Sequence, residues 1–140
     1  MHENDKQIVR RVWEDLFDEW DPSAASELAS PEIAFRGTLG KEVRGLGGLE
    51  GYVLDAREAF LDLHAAMDDL VAEGDKVVAR VTLRGTHEGE LFGVAPTGRR
   101  VAYEGAAVHR MSEDKIAECW VLGDILSLMR QLGSAPKPPG

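Results

Sequence analysis

Few side chains in this sequence are both of a kind and in a place to do chemistry, and the first is Asp124. It stands where an alternating apolar stretch, Ile116 to Leu122, gives way to a helical one, Ile125 to Leu132. A carboxylate in a dry pocket has its pKa raised by desolvation, so it can take and return a proton near neutrality. A carbon flanked by a ketone and an ester is acidic enough to be its substrate, and carboxylate bases work beside carbonyls in such settings. The same position also suits the N-cap of the helix that follows, a role aspartate fills well. One short side chain cannot fully do both.

Other candidates surround it. Tyr103 is a phenol able to donate a hydrogen bond to a developing oxyanion, or else a packing residue between strands. His109 is a second possible pocket residue. It stands about seven residues along its strand from the partner of Asp124, roughly 24 Å at the usual rise, too far for direct cooperation and better suited to a structural role. His87 sits at the mouth of a glycine-rich loop and is expected to tie that loop down. Trp13, Phe35, Tyr52, Phe60 and Trp120 are candidate pocket walls, or simply core. Arg80 and Arg84 are placed to hold an anionic group or to form surface ion pairs.

The elements that must position these residues read in order. Asn4, with Gln7 three residues on, opens a helix carrying Ile8, Val9, Val12, Trp13, Leu16, Phe17 and Trp20 on one stripe. Asp21-Pro22 caps a second helix, stopped by Ser30-Pro31. Ile33 to Phe35 is a short strand. Gly37 to Gly48 is turn-prone and fits a small hairpin, and a third helix covers about Leu49 to Phe60. The period then changes to two. Strands are expected over Ala65 to Ala72, Lys76 to His87, Arg100 to Met111 and Ile116 to Leu122, with a loop from Glu88 to Gly98. Three N-terminal helices against a curved antiparallel sheet, followed by a short C-terminal helix, make an α+β layer architecture with a concave pocket. Residues 1–133 form one domain and 134–140 a flexible tail.

Strand parity bears on Asp124. With a three-residue turn at Ser112 to Asp114, Met111 faces Lys115 and His109 faces Ala117. Val81, Leu83, Tyr103, Ala107, Cys119 and Val121 then share an apolar face. Asp124 falls on the other, with Arg80, Glu104, Glu118 and Trp120. Either the pocket lies on that mixed face or a bulge near Gly123 turns Asp124 inward.

Composition narrows the function class. The chain has 140 residues, 44% of them hydrophobic, and a net charge of −9. That charge disfavours nucleic acid. No apolar run approaches the ~20 residues of a membrane span. The N-terminus has no signal-peptide pattern, and Cys119 is the single cysteine, so the reading is a cytoplasmic protein. His2, His64, His87, His109 and Cys119 lack ligand spacing, and no metal is expected.

Ala59-Phe-Leu-Asp-Leu63, Glu73-Gly-Asp-Lys-Val77, Gly85-Thr-His-Glu-Gly89, Gly93-Val-Ala-Pro-Thr-Gly98, Lys115-Ile-Ala-Glu-Cys-Trp120, Asp124 and Gln131-Leu-Gly133 follow in order. This ordered set resembles the SnoaL-like polyketide cyclase family of the NTF2-like superfamily, over about residues 5 to 133. The resemblance implies a cone-shaped α+β barrel with a deep apolar pocket, a homodimer through the outer sheet face, and ring closure of a small hydrophobic, polyketide-derived substrate by an intramolecular aldol step without cofactor or metal. It matches Asp124 to the family's acid/base aspartate. The sequence departs from the family pattern at Leu61, where proline is common, at Asp114-Lys115, which lacks the usual turn glycine, and at Phe35-Arg36, where a histidine is frequent. The alternatives are an NTF2-like hydrolase or isomerase acting on another hydrophobic substrate, and a non-catalytic ligand-binding dimer.

Overall fold

The structure, a computed structural model, describes residues 2–37 and 41–134. Helix α1 (Glu3–Arg11) passes directly into a π-helical segment (Val12–Asp18). There follow α2 (Pro22–Leu28), β1 (Ala29–Arg36), β2 (Glu42–Arg44), α3 (Gly45–Ala59), β3 (His64–Glu73), β4 (Lys76–Thr86), β5 (Arg100–Ser112), β6 (Lys115–Gly123) and α4 (Ile125–Gln131). The strands form one sheet in the order β2-β1-β6-β5-β4-β3.

The π segment has a cause in the sequence. Apolar pairs recur every four residues, at Ile8-Val9, Val12-Trp13 and Leu16-Phe17. On a 3.6-residue turn a four-residue repeat drifts by about 40° each time. The wider i→i+5 turn offsets that drift and keeps the stripe on the sheet. Val9, Val12, Trp13, Leu16 and Phe17 are all buried. The expected Asn4 cap is not formed: α1 starts at Glu3, and the Asn4 amide instead donates to Asp114 Oδ1 at 3.1 Å. The cap at Asp21 is formed, its carboxylate accepting from the Ser23 N–H at 3.1 Å with Pro22 at the first helical position.

Two expectations about architecture are corrected. Two helical segments precede the sheet, not three; α3 lies between β2 and β3, and β1 and β2 belong to the sheet. The sheet is not wholly antiparallel, because β1 runs parallel to β6. Nor does it close into a barrel, since β2 and β3 end it as edges. The physical reason is the free edge of β6, whose backbone groups need partners. β1 supplies them while burying Ala29, Ile33 and Phe35. Only Ile33 to Phe35 carried a visible strand signal. Of the expected Gly37–Gly48 hairpin, the β1–β2 pairing is formed and Gly45–Gly48 is helical. Residues 38–40 lie outside the described residues, as does the expected tail beyond Ser134.

The β5–β6 turn is tighter than expected. Glu113 and Asp114, both at positive φ (52° and 61°), form a two-residue turn with Ser112 opposite Lys115. A bulge follows: Met111 pairs with Ile116, then Arg110 with Glu118. The net register shift against the expected pairing is two residues, with His109 opposite Cys119 rather than Ala117. An even shift leaves every side chain on its expected face. Val81, Leu83, Ala107, Cys119 and Val121 are buried on the inner face, as their alternation indicated.

His109 joins helix to sheet. It is fully buried, its Nδ1–H donates to the Val77 carbonyl at 3.0 Å, and its Nε2 accepts from the Trp13 indole N–H at 3.2 Å. Both ring nitrogens are thereby used in the neutral form, and burial pushes the pKa down from 6.5 to about 4 despite the Val77 bond. The folded-state pKa lies below the unfolded one, so the unfolded chain binds the extra proton. The corresponding stability, roughly 3 kcal/mol, is fully present above pH 6.5 and is lost as pH falls toward 4. Chemical denaturation across that window is expected to show this loss in the parent chain and a shallower one in His109→Gln. NMR of the imidazole is expected to show no titration until near pH 4.

Candidate functional site

A cavity of about 460 Å³ opens between α3, α4, the inner face of β5 and the loop after β4. Its walls include Val43, Tyr52, Phe60, Phe92, Tyr103 and Leu128, with Lys41 and Asp55, both exposed, in the lining. A smaller hollow of about 30 Å³ continues inward among Trp13, Phe17, Phe35, Leu63, Leu83 and Val121. Tyr52, Ala56, Phe60 and Tyr103 line both spaces.

The inner end is aromatic. Trp13 stacks on Phe17 with centroids 4.6 Å apart, and Phe35 lies 4.7 Å from Tyr52. The Tyr52 ring presses on Gly37, where any Cβ would collide with the phenol. Position 37 therefore has to be glycine for Tyr52 to lie as it does. Tyr103 comes from β5, opposite Leu83 of β4. Burial, with a smaller contribution from Tyr52, pushes its pKa well above the ordinary phenol value. It thus stays a hydrogen-bond donor, and its hydroxyl has no hydrogen-bond partner among the described residues.

The loop after β4 forms one wall. His87 holds its base: its N–H donates to Arg99 O and its C=O accepts from Gly98 N, both at 2.9 Å, while Nδ1 accepts from the Thr97 N–H at 3.2 Å. This is the tying role expected of it. At the tip, Leu91 and Val94 exchange backbone bonds across Phe92 and Gly93, at φ 53° and 76°, which turns Leu91 and Phe92 into the cavity lining. On the far side α4 is clamped to β5 by Gln131. Its amide accepts from Ala102 N at 2.9 Å and donates to Ala102 O at 2.7 Å. That clamp sets Leu128 as a cavity wall.

The residues picked from sequence separate into three groups. Tyr52, Phe60 and Tyr103 line the cavity, and Trp13 and Phe35 line its inner end. His109 is buried behind Trp13 and lines neither space. Trp120 is on the opposite face of the sheet, 42% exposed, because alternation puts it outward between Cys119 and Val121. Asp124 is exposed and caps α4, its Oδ1 accepting from the Ser127 N–H at 3.0 Å. Its backbone N–H pairs with Glu104 O at 2.8 Å, and its side chain lines neither space. Of the two roles open to it, the geometry gives it the cap. A bulge does occur, but at the other end of β6, and together with the two-residue turn it leaves parity unchanged. Asp55, Lys41, Leu91, Phe92, Ile125 and Leu128 of the lining were not picked out. Asp55 could have been found by its place on α3, three residues beyond Tyr52 and so on the same helical face. The loop residues carried no periodic signal. Among the described residues no group of three or more histidine, cysteine or acidic side chains is placed to hold a metal, and no helix is long and apolar enough to cross a membrane.

A curved α+β sheet with a mostly apolar hollow and few polar groups defines a small-ligand pocket protein. The family model of the SnoaL-like polyketide cyclases matches residues 7–132, and the chain belongs to that family. No curated protein matches its sequence. Among solved structures, a candidate SnoaL-like polyketide cyclase from Jannaschia sp. CCS1 superposes with a TM-score of 0.85 at 22% identity, covering 95% of this chain and 94% of that one. AclR, a candidate hydroxylase from Streptomyces galilaeus, gives 0.81 at 29% identity over 99% and 90%. IdmH, a candidate polyketide cyclase from Streptomyces antibioticus, gives 0.81 at 28% over 94% and 99%.

As a cap outside the cavity, Asp124 contributes stability. Asp124→Ala is expected to cost about 1 kcal/mol in chemical denaturation. Asp124→Asn should recover most of it, with cavity-ligand affinity unchanged in both.

Proposed function

We propose that the protein is a cofactor-independent cyclase acting on a small, mostly apolar, polyketide-derived carbonyl compound. The observation that carries this reading is Tyr103: a half-buried phenol, kept protonated by desolvation, without a hydrogen-bond partner among the described residues, in a mostly apolar wall. Such a donor suits a carbonyl oxygen that becomes an enolate, because a hydrogen bond beside apolar walls stabilises developing charge more than one in open water. Asp55 is the carboxylate in the cavity lining and serves as proton acceptor. It removes a proton from carbon between two carbonyls, and the electron pair moves onto the oxygen held by Tyr103. The enolate carbon attacks a second carbonyl of the same molecule, a C–C bond closes the ring, and the new alkoxide takes the proton back. Neither a redox change nor a metal enters that balance.

A second reading, ligand binding without turnover, is favoured by the place of Asp124, which leaves the exposed Asp55 as the one carboxylate in the described lining of the cavity. Incubation with aromatic polyketide esters separates the two. Catalysis predicts a ring-closed product, kcat lowered about 100-fold in Tyr103→Phe with KM little changed, and a loss of about 100-fold or more in Asp55→Asn. A raised melting temperature with no product would leave the binding reading standing.

We also propose a homodimer through the outer sheet face. Val71, Val78, Val108 and Trp120 lie in one cross-strand row, with Leu122 beside it, 58% exposed. Charges of both signs rim this row, with Arg110 paired to Glu118 at 3.1 Å and Arg44 to Glu42 at 3.1 Å, so the patch can meet a copy of itself across a two-fold axis. Trp120→Glu is expected to halve the mass measured by light scattering while leaving the circular dichroism unchanged. A parent chain that is already monomeric at the same concentration overturns the proposal.

A further inference from the structure

A second cleft, of about 490 Å³, lies outside the cavity, where the ends of β3, β4 and β5 meet the last turn of α4. Asp62, His64, Arg84, Arg100 and Gln131 are in its lining. His64 is directly opposite Arg84 in the sheet. Arg100 pairs with Thr86, so it is the diagonal neighbour of Arg84. Diagonal cross-strand neighbours are about 7–8 Å apart at Cα, within reach of one another for long side chains.

What sets these two arginines apart is that they share the lining of one cleft while neither forms an ion pair; Arg10, Arg36, Arg57, Arg99 and Arg130 also form none among the described residues, but they do not line it. Elsewhere carboxylates neutralise guanidinium groups: Arg11 has Asp15 and Glu27, Arg44 has Glu42, Arg80 has Glu104 and Arg110 has Glu118. Arg84 and Arg100 form no ion pair among the described residues. The cleft's own carboxylate, Asp62, is engaged by Thr86 and forms no ion pair with either arginine. It accepts from Thr86 N at 2.6 Å and Thr86 Oγ at 2.8 Å, and those two bonds hold its pKa low, with only a minor contribution from Arg100. Gln131 is spent on Ala102. His64 uses Nδ1 on Asp18, whose same oxygen accepts from Ala65 N, which fixes the ring and leaves Nε2 as its remaining nitrogen. Two like charges at diagonal positions without an ion-pair partner repel, and an anion between them reduces that cost.

We propose that this cleft binds a phosphate dianion, free or as the terminus of an organic monoester, with Arg84 and Arg100 as paired donors and His64 as a third donor through Nε2 when the ring carries both protons. Guanidinium forks match the phosphate oxygens two at a time, which a lysine does not reproduce. The site is separate from the cavity and does not depend on the reaction assigned there.

The test is an NMR titration of the whole chain with inorganic phosphate, repeated with phenyl phosphate, at ionic strength held constant with chloride. Saturable shifts at His64, Arg84 and Arg100 are expected, with affinity about tenfold weaker in Arg84→Lys and in Arg100→Lys. Both side chains are exposed, so these variants should keep the parent melting temperature, and Tyr103→Phe should bind phosphate as the parent does. Equal affinity for the two probes identifies the free ion as sufficient; tighter binding of phenyl phosphate identifies the ester. Shifts that rise without saturating, or that persist in the Arg84→Ala, Arg100→Ala double variant, overturn the proposal.

Discussion

The hydrogen bond from the Trp13 indole to His109 sets the depth at which the first helix lies on the sheet. It joins two residues 96 positions apart, and it is completed by the bond from His109 to Val77 of the neighbouring strand. A buried imidazole with one free nitrogen would oppose burial. With both satisfied, the neutral ring locks helix, β5 and β4 together. Everything lining the inner end of the cavity follows from that depth. Trp13 carries Phe17, and Phe17 carries Phe35 and Tyr52, as one aromatic layer. The layer fills one end of the concave sheet and leaves only a small hollow there. The usable space lies at the other end, under α3, α4 and the loop tied by His87.

That division explains why a histidine can be buried in a pocket-forming fold and still take no part in a site. Its polarity is consumed by architecture. Tyr103 shows the opposite case. It shares strand and face with His109, but among the described residues no helix side chain takes its hydroxyl, and the residue lines the hollow. The same strand thus supplies a structural and an open polar group, and what differs is only what covers each.

Fold and chemistry separate in the comparisons too. AclR and IdmH stand at nearly the same identity to this chain, with one a candidate hydroxylase and the other a candidate cyclase. A shared scaffold carries different reactions through the few polar groups in its hollow. In this chain those groups are two phenols, with a lysine and an aspartate also in the lining.

Much of the scaffold was legible in the residues alone. Period-two alternation from Lys76 onward gave the strands and their buried face, and that face survived a register error because the error was even. The family signature was legible as well, since it is an ordered set of local motifs. Asp124 marks where legibility stopped. A residue type and a position at a strand–helix seam admit both a base and a cap. The choice depends on which face carries the hollow, and that is a matter of how separate elements pack. Of β1 only Ile33 to Phe35 was legible as a strand, for a similar reason: its full length and its parallel place beside β6 answer a need of another strand's edge. Local periodicity is written in neighbouring residues, so the sequence by itself determined the elements, their faces and the family. What lies opposite each face, which polar groups are consumed there and which are left open to a ligand, arises between residues far apart in the chain, and only the tertiary structure decided it.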